Sequence, residues 1–159
     1  MNPDPGLPMQ PLAELVRHVT PLREDETIAD AAPRLAEEGG GLPVADAAGR
    51  LVGYLSERDM LTALFPAYLA EFRNTAFLTR DFRSLMRHAA EGAGHRVGDH
   101  MSREPACVEL DDSESHTAEL FIHNGLRTLA VVDADRRVVG LLRLGDLISA
   151  LLEACRRQG

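Results

Sequence analysis

A mixed α/β (α+β) fold is predicted, built from two copies of one β-α-β-β-α unit with a helical insertion between them. Three observations predict it. Like residues recur at one spacing of 87 positions, pairing Gly53 with Gly140, Asp59 with Asp146, Leu42 with Leu129, Val44 with Val131 and Asp46 with Asp133. One offset held across so many positions marks the doubling of a supersecondary unit. Helical and strand periodicities then alternate in the same order in both halves. Finally, 159 residues with 45% apolar and 26% charged content are enough to bury a core in one compact domain or two small fused repeats.

The first copy occupies residues 11–64. Residues 12–16 form a short helical lead-in, and 19–22 an extended piece. Thr27 with Asp30 three residues on makes a capping box for a helix from about Ile28, whose Ile28, Ala31, Ala32 and Leu35 share one face. Pro33 falls inside it at a cost of ~3 kcal/mol, so this helix is expected to begin later or to kink there. Gly39-Gly40-Gly41 ends it. Strands at 42–45 and 50–55 follow, joined by the turn-rich Asp46-Ala47-Ala48-Gly49 as a hairpin. Ser56 caps a second helix over 57–64, with Met60, Leu61 and Leu64 spaced to face a core.

Residues 65–96 form a spacer too long for an ordinary connection, and two helices are expected in it. They cover 66–73 and 79–90, the second carrying Phe82, Leu85, Met86 and Ala89 on one face. The second copy occupies 97–156. It repeats the order: lead-in at 97–101, strand at 106–110, helix at 115–124 ended by Gly125, strands at 128–132 and 137–142, and a helix over 144–156. These strands are apolar almost throughout, as when both faces are covered.

The formal net charge of −8 argues against nucleic-acid binding, which needs a dense basic face. No run approaches the ~20 apolar residues needed to span a bilayer, and the proline-rich opening lacks an apolar signal core, so a cytoplasmic chain with no membrane contact is expected. Cys107 and Cys155 are too few for a disulfide framework or a four-thiolate zinc site. All 17 basic residues are arginine. Planar bidentate anion contacts would favour that, and so would a base-composition bias in the gene. His88, His95, Asp99 and His100 lack zinc-site spacing, and no metal is expected. Arg73, Arg80, Arg83 and Arg87 interleave with Glu71, Asp81 and Glu91, as on a solvated face. The adjacent Ser115 and His116 offer no catalytic geometry, and no phosphate-binding G-x-x-x-x-G-K-[ST] loop occurs. The chain is therefore not expected to be an enzyme.

Three motifs carry a family resemblance: Val97-Gly98-Asp99-His100-Met101-Ser102, Leu42-Pro43-Val44-Ala45-Asp46, and Gly53-Tyr54-Leu55-Ser56-Glu57-Arg58-Asp59. Together, and duplicated, they resemble the CBS domain family, named for the regulatory region of cystathionine β-synthase, in the tandem arrangement called a Bateman module. The resemblance implies two repeats packed about a pseudo-twofold axis, with clefts between them that take an adenine nucleotide or related adenosyl ligand.

The third motif looks like the family's ribose-binding segment, and its chemistry can be stated directly. Gly53 lets a ligand approach the strand backbone, Ser56 offers a hydroxyl at a helix N-terminus, and Asp59 presents a carboxylate one turn on. A carboxylate accepting two vicinal hydroxyls makes charge-assisted bonds, and the amides of a helix start favour an anion. Alternatively, Ser56 and Asp59 simply cap their own helix. In the second copy the segment reads Gly140-Leu141-Leu142-Arg143-Leu144-Gly145-Asp146. Arg143 replaces the hydroxyl, where it either pairs with Asp146 or reaches across the repeat interface to a phosphate. One competent ribose site, in the first copy, is expected.

The family often places a basic residue before its Leu-Pro-Val strand, where this chain has Gly40 and Gly41; Arg127 stands near that place in the second copy. Phosphate contacts are therefore assigned to Arg58, Arg127, Arg143 or glycine-loop amides. By resemblance adenine lies near Thr20 and Pro21, against Leu42, Pro43 and Tyr54, residues that ordinary packing would equally explain. The expected function is a non-catalytic sensor that needs no cofactor and takes AMP, ADP, ATP or S-adenosylmethionine as regulatory ligand. It would act on a separate regulated protein or its own oligomer, a homodimer formed through Met60, Leu61, Leu147, Ile148 and Leu151. The alternative is a ligand-independent interaction scaffold.

Overall fold

The computed structural model describes residues 11–65 and 82–158. The helix expected at 66–73 lies outside them. The first copy comprises α1 (Leu12–Leu15), α2 (Ile28–Glu38), β1 (Gly41–Ala45), β2 (Leu51–Ser56) and α3 (Glu57–Leu64). Next come α4 (Phe82–Ala93) and a 3-10 turn (Val97–Asp99). The second copy adds β3 (Cys107–Glu109), α5 (Glu114–Asn124), β4 (Thr128–Val132), β5 (Val138–Arg143) and α6 (Leu144–Gln158). No helix among the described residues is long and apolar enough to cross a membrane.

Local chemistry sets most element ends. Thr27 Oγ1 accepts the Asp30 amide at 3.1 Å to open α2, and Ser113 Oγ accepts the His116 amide at 3.1 Å to open α5. Both helices stop at a glycine with positive φ, Gly39 at +70° and Gly125 at +59°. α2 starts at Ile28 and continues through Pro33 to Glu38 without a break. Pro33 and Ala29, whose carbonyl the ring leaves without its helical donor, both lie on the exposed face, where water can take that bond.

The extended piece expected at 19–22 shrinks to one parallel bridge, Leu22 to Val44, whereas its counterpart β3 pairs with β4 over three residues. β1–β2 and β4–β5 are antiparallel hairpins with the same register slip, after Val44 and after Val131. Asp46 Oδ1 closes the first turn on the amides of Ala48 and Arg50, at 2.8 and 3.0 Å. Asp133 does the same for Asp135 and Arg137, both at 2.9 Å.

The copies meet about a pseudo-twofold axis. The Leu51 amide donates to Arg136 O and the Val138 amide to Gly49 O, each at 2.9 Å, and these bonds interchange under the 87-residue offset. Buried Tyr54 hydrogen-bonds Thr128 through its hydroxyl, and Thr128 Oγ1 reaches Gly41 O at 3.4 Å.

Each lead-in crosses to the other copy. Leu12 is buried with Val108, Phe121 and Leu129 of the second copy. Val97 and Met101 are buried with Leu22, Ile28 and Leu35 of the first. Arg17 exchanges two 2.8 Å backbone hydrogen bonds with Leu141, and Ser102 exchanges bonds of 2.9 and 3.0 Å with Tyr54. The glycines before Tyr54 and Leu141 admit these segments: a Cβ on Gly140 would lie 2.3 Å from Arg17 O, and one on Gly53 2.4 Å from Met101 Sδ.

Packing divides the apolar face expected on 79–90 and takes one residue from the expected dimer surface. α4 packs on α3 through Gly92, where a Cβ would stand 2.1 Å from Ala63 O. That contact turns Phe82 (64% exposed) and Met86 outward, leaving Leu85 and Ala89 half-buried. Leu147, expected on a dimer surface, is only 1% exposed and belongs to the second copy's own core. Met60 and Leu151 pack partly against their own cores, while Leu61 and Ile148 remain exposed.

Candidate functional site

In the first copy, the expected ribose motif is drawn into its own helix cap. Asp59 Oδ2 accepts the Ser56 amide at 2.9 Å and the Ser56 hydroxyl at 2.7 Å, while Ser56 Oγ accepts the Asp59 amide at 3.1 Å. The capping box is therefore complete. A sugar diol at this carboxylate would have to displace the Ser56 hydroxyl. The opening expected over Gly53 is filled by Met101 and the Ser102 backbone, so no ligand approaches that strand there. Leu42 and Pro43 are buried in β1. Arg34 Nη2 caps the chain at Thr20 O and Pro21 O. Arg58 is exposed on α3.

Tyr54 is 4% exposed, and its phenol is turned to the repeat interface. Burial pushes its pKa from the ordinary 10 up to about 12; the charges of Asp59 and Glu57 add to the rise, and the Thr128 hydrogen bond opposes it. The fold thus favours the neutral phenol, a contribution fully present below pH 10 and lost as pH climbs to about 12. Roughly 2 kcal/mol of stability should disappear across that window. With no tryptophan and two tyrosines in the chain, ultraviolet titration of tyrosinate reads this directly. Tyr54→Phe should remove the late-titrating phenol, and tyrosinate at Tyr54 forming near pH 10 in folded protein would contradict the burial.

In the second copy the side chains are arranged differently. Asp146 does not pair with Arg143. It pairs with Arg17, Nε to Oδ2 at 3.0 Å, and this hydrogen bond and charge raise the Arg17 pKa. Arg143 instead crosses the repeat interface, its Nη2 lying 2.9 Å from Glu38 Oε2 at the end of α2. Its Nε is buried with no hydrogen-bond partner among the described residues. Arg127 makes only a loose 3.8 Å pair with Glu57, both largely exposed.

An inter-repeat cavity of 460 Å³ is bounded by Glu38, Gly39, Arg127, Arg143, Asp146 and Ile148. Glu38 also borders a 190 Å³ hollow with Thr20, Arg34 and Leu42, and Asp146 a 680 Å³ groove with Arg17 and Ser149. Small-molecule sites typically occupy about 300 to 1,000 Å³ and place a few charged groups on their walls. Five residues named from sequence, Thr20, Leu42, Arg127, Arg143 and Asp146, thus line hollows joined through Glu38 and Asp146, whereas Ser56, Arg58 and Asp59 line none of these three, although Glu57 beside them pairs with Arg127. Sequence reasoning missed Arg17 and Glu38. The signal for Glu38 was an acid at the C-terminal end of a helix with no basic residue in its last turn, where the dipole disfavours it.

His95 Nδ1 and His100 Nε2 lie 3.0 Å apart with nearly parallel rings, an imidazole pair hydrogen-bonded to itself. No three metal-ligating side chains gather among the described residues.

A family model for the CBS domain matches residues 12–66 and 97–153. The chain belongs to the CBS domain family. Its two matched stretches are the two copies, so it is a CBS pair. CBSX2, a chloroplastic CBS domain-containing protein of Arabidopsis thaliana, is 30% identical over 128 residues, covering 73% of this chain and 51% of that protein. This chain therefore spans about half the length of CBSX2, and likewise of CBSX1. The crystal structure of CBSX2 matches at 30% identity with a TM-score of 0.66, covering 93% of each chain. A structure of CBSX2 in complex with AMP matches at 27% identity with a TM-score of 0.64, covering 88% of this chain and 94% of that one.

Proposed function

We propose that this CBS pair is a non-catalytic cytoplasmic regulator that binds an adenine nucleotide or adenosyl ligand in the inter-repeat cleft beside Asp146. The carrying observation is the convergence of Arg127, Arg143 and Asp146 on one 460 Å³ cavity, adjoining the hollow of Thr20 and Leu42. The AMP complex of CBSX2 supports the choice of ligand class. Asp146 supplies an acceptor for ribose hydroxyls, and Arg127, held only loosely, is free to take a phosphate. A cellular sensor of such a pool needs a dissociation constant of about 1 μM to 1 mM. Binding regulates only if it favours one of two states of the module, so occupancy would alter its pairing through Leu61 and Ile148 or its hold on a separate protein.

A thermal-shift panel of AMP, ADP, ATP, S-adenosylmethionine and NADH tests this reading. At 100 times its dissociation constant a ligand should stabilise the fold by about 2.7 kcal/mol. Asp146→Asn should abolish the shift, and Asp59→Asn should lower the starting melting temperature while leaving the shift intact. The opposite pattern moves the site to Asp59. No shift with any ligand well above ~1 mM favours a scaffold that binds only protein, a reading supported by the carboxylate partners that Arg17, Arg127 and Arg143 already hold.

A further inference from the structure

We propose that Glu38 is a specificity-determining residue of the cleft: by holding Arg143 it limits the number of phosphates the site accepts. The inference rests on the nucleotide reading above and adds the preference within it. The two arginines of the 460 Å³ cavity are not equivalent. Arg127 and Glu57 are 3.8 Å apart with side chains 73% and 50% exposed, an ion pair that water competes with and that costs little to give up. Arg143 and Glu38 are 2.9 Å apart and only 29% and 24% exposed, a short charge-assisted bond in a drier place.

A first phosphate can therefore use Arg127. A second or third must either win Arg143 from Glu38 or lie beside the Glu38 carboxylate, and like charges at that range repel. Adenosine, AMP and cationic adenosyl ligands are consequently favoured over ATP.

Glu38 has its own reason to hold on. It ends α2, where carbonyl dipoles make an acid unfavourable, and that helix has no basic residue in its last turn, so Arg143 supplies the missing cation from the other copy. The grip is not optimal for Arg143, whose buried Nε has no partner among the described residues. An unmade buried hydrogen bond raises the free energy of the held arrangement, so removing the Glu38 carboxylate should release Arg143 to a phosphate.

Calorimetric titration of adenosine, AMP and ATP into wild type, Glu38→Gln, Arg143→Gln and the double variant tests the assignment. Glu38→Gln should raise ATP affinity relative to adenosine by about 5- to 10-fold, and the double variant should lose that gain, because no guanidinium remains to be freed. Melting curves of each variant without ligand separate folding loss from selectivity, since a ratio of affinities is insensitive to the folded fraction. An unchanged ATP-to-adenosine ratio in Glu38→Gln, with wild type still binding, overturns this proposal alone. Wild type binding none of the three overturns the nucleotide reading and this proposal with it.

Discussion

Gly140→Ala is expected to destabilise the fold by about 3 kcal/mol, as overpacking against an immovable neighbour does. The added methyl would stand 2.3 Å from Arg17 O and 2.7 Å from Val16 Cγ1. Arg17 cannot simply retreat, because its backbone is tied to Leu141 by two 2.8 Å hydrogen bonds. Retreat would also pull Arg17 Nε from Asp146, a wall residue of the candidate cleft. The symmetry-related Gly53→Ala meets Met101 Sδ first, at 2.4 Å, the far part of a flexible side chain, with Ser102 O at 2.9 Å. It should cost less, about 1 to 2 kcal/mol. Urea unfolding of both variants checks the pair: the midpoint should fall further for Gly140→Ala at unchanged slope. A loss under 1 kcal/mol at Gly140 would mean that the lead-in does not dock on β5.

Leu141→Ala should cost about 3 to 4 kcal/mol, the range for a large aliphatic side chain removed from a core that cannot collapse around the hole. Leu141 is fully buried, yet it sits in the cluster of Leu22, Ile28, Leu35 and Leu55, all from the first copy. Its counterpart across the axis is Tyr54, which turns its hydroxyl onto Thr128. The two residues interlock the copies from opposite sides. Unfolding followed by circular dichroism should therefore stay a single transition in wild type and in Leu141→Ala, merely shifted. A first step that melts only one copy, leaving the other folded, would contradict an interlocked core.

Much of the fold was legible because it is written locally. The hairpin turns follow from Asp46 and Asp133, whose carboxylates close on amides two and four residues ahead. Helix starts follow from Thr27 and Ser56, and the stop of α2 from Gly39. What sequence could not convey is which copy each lead-in serves. The apolar spacing of Leu12 or Val97 asks only for burial, and either core would satisfy it. The same limit hid the outward turn of Phe82 and the burial of Leu147, since a helical face is defined before its neighbour is known. At the site, the capping-box alternative for Ser56 and Asp59 was readable from a three-residue spacing. The Arg17–Asp146 pair was not, because 129 residues separate its members.

The crossed lead-ins make the two copies obligate companions. Each core is sealed by a strap that the other copy's chain supplies, Leu12 in one direction and Val97 with Met101 in the other. A single copy excised at its own boundaries would carry away the strap its sibling needs and leave behind the one it needs itself. The smallest inheritable unit of this architecture is therefore the clasped pair, and whatever disturbs one clasp is felt on both sides of the molecule.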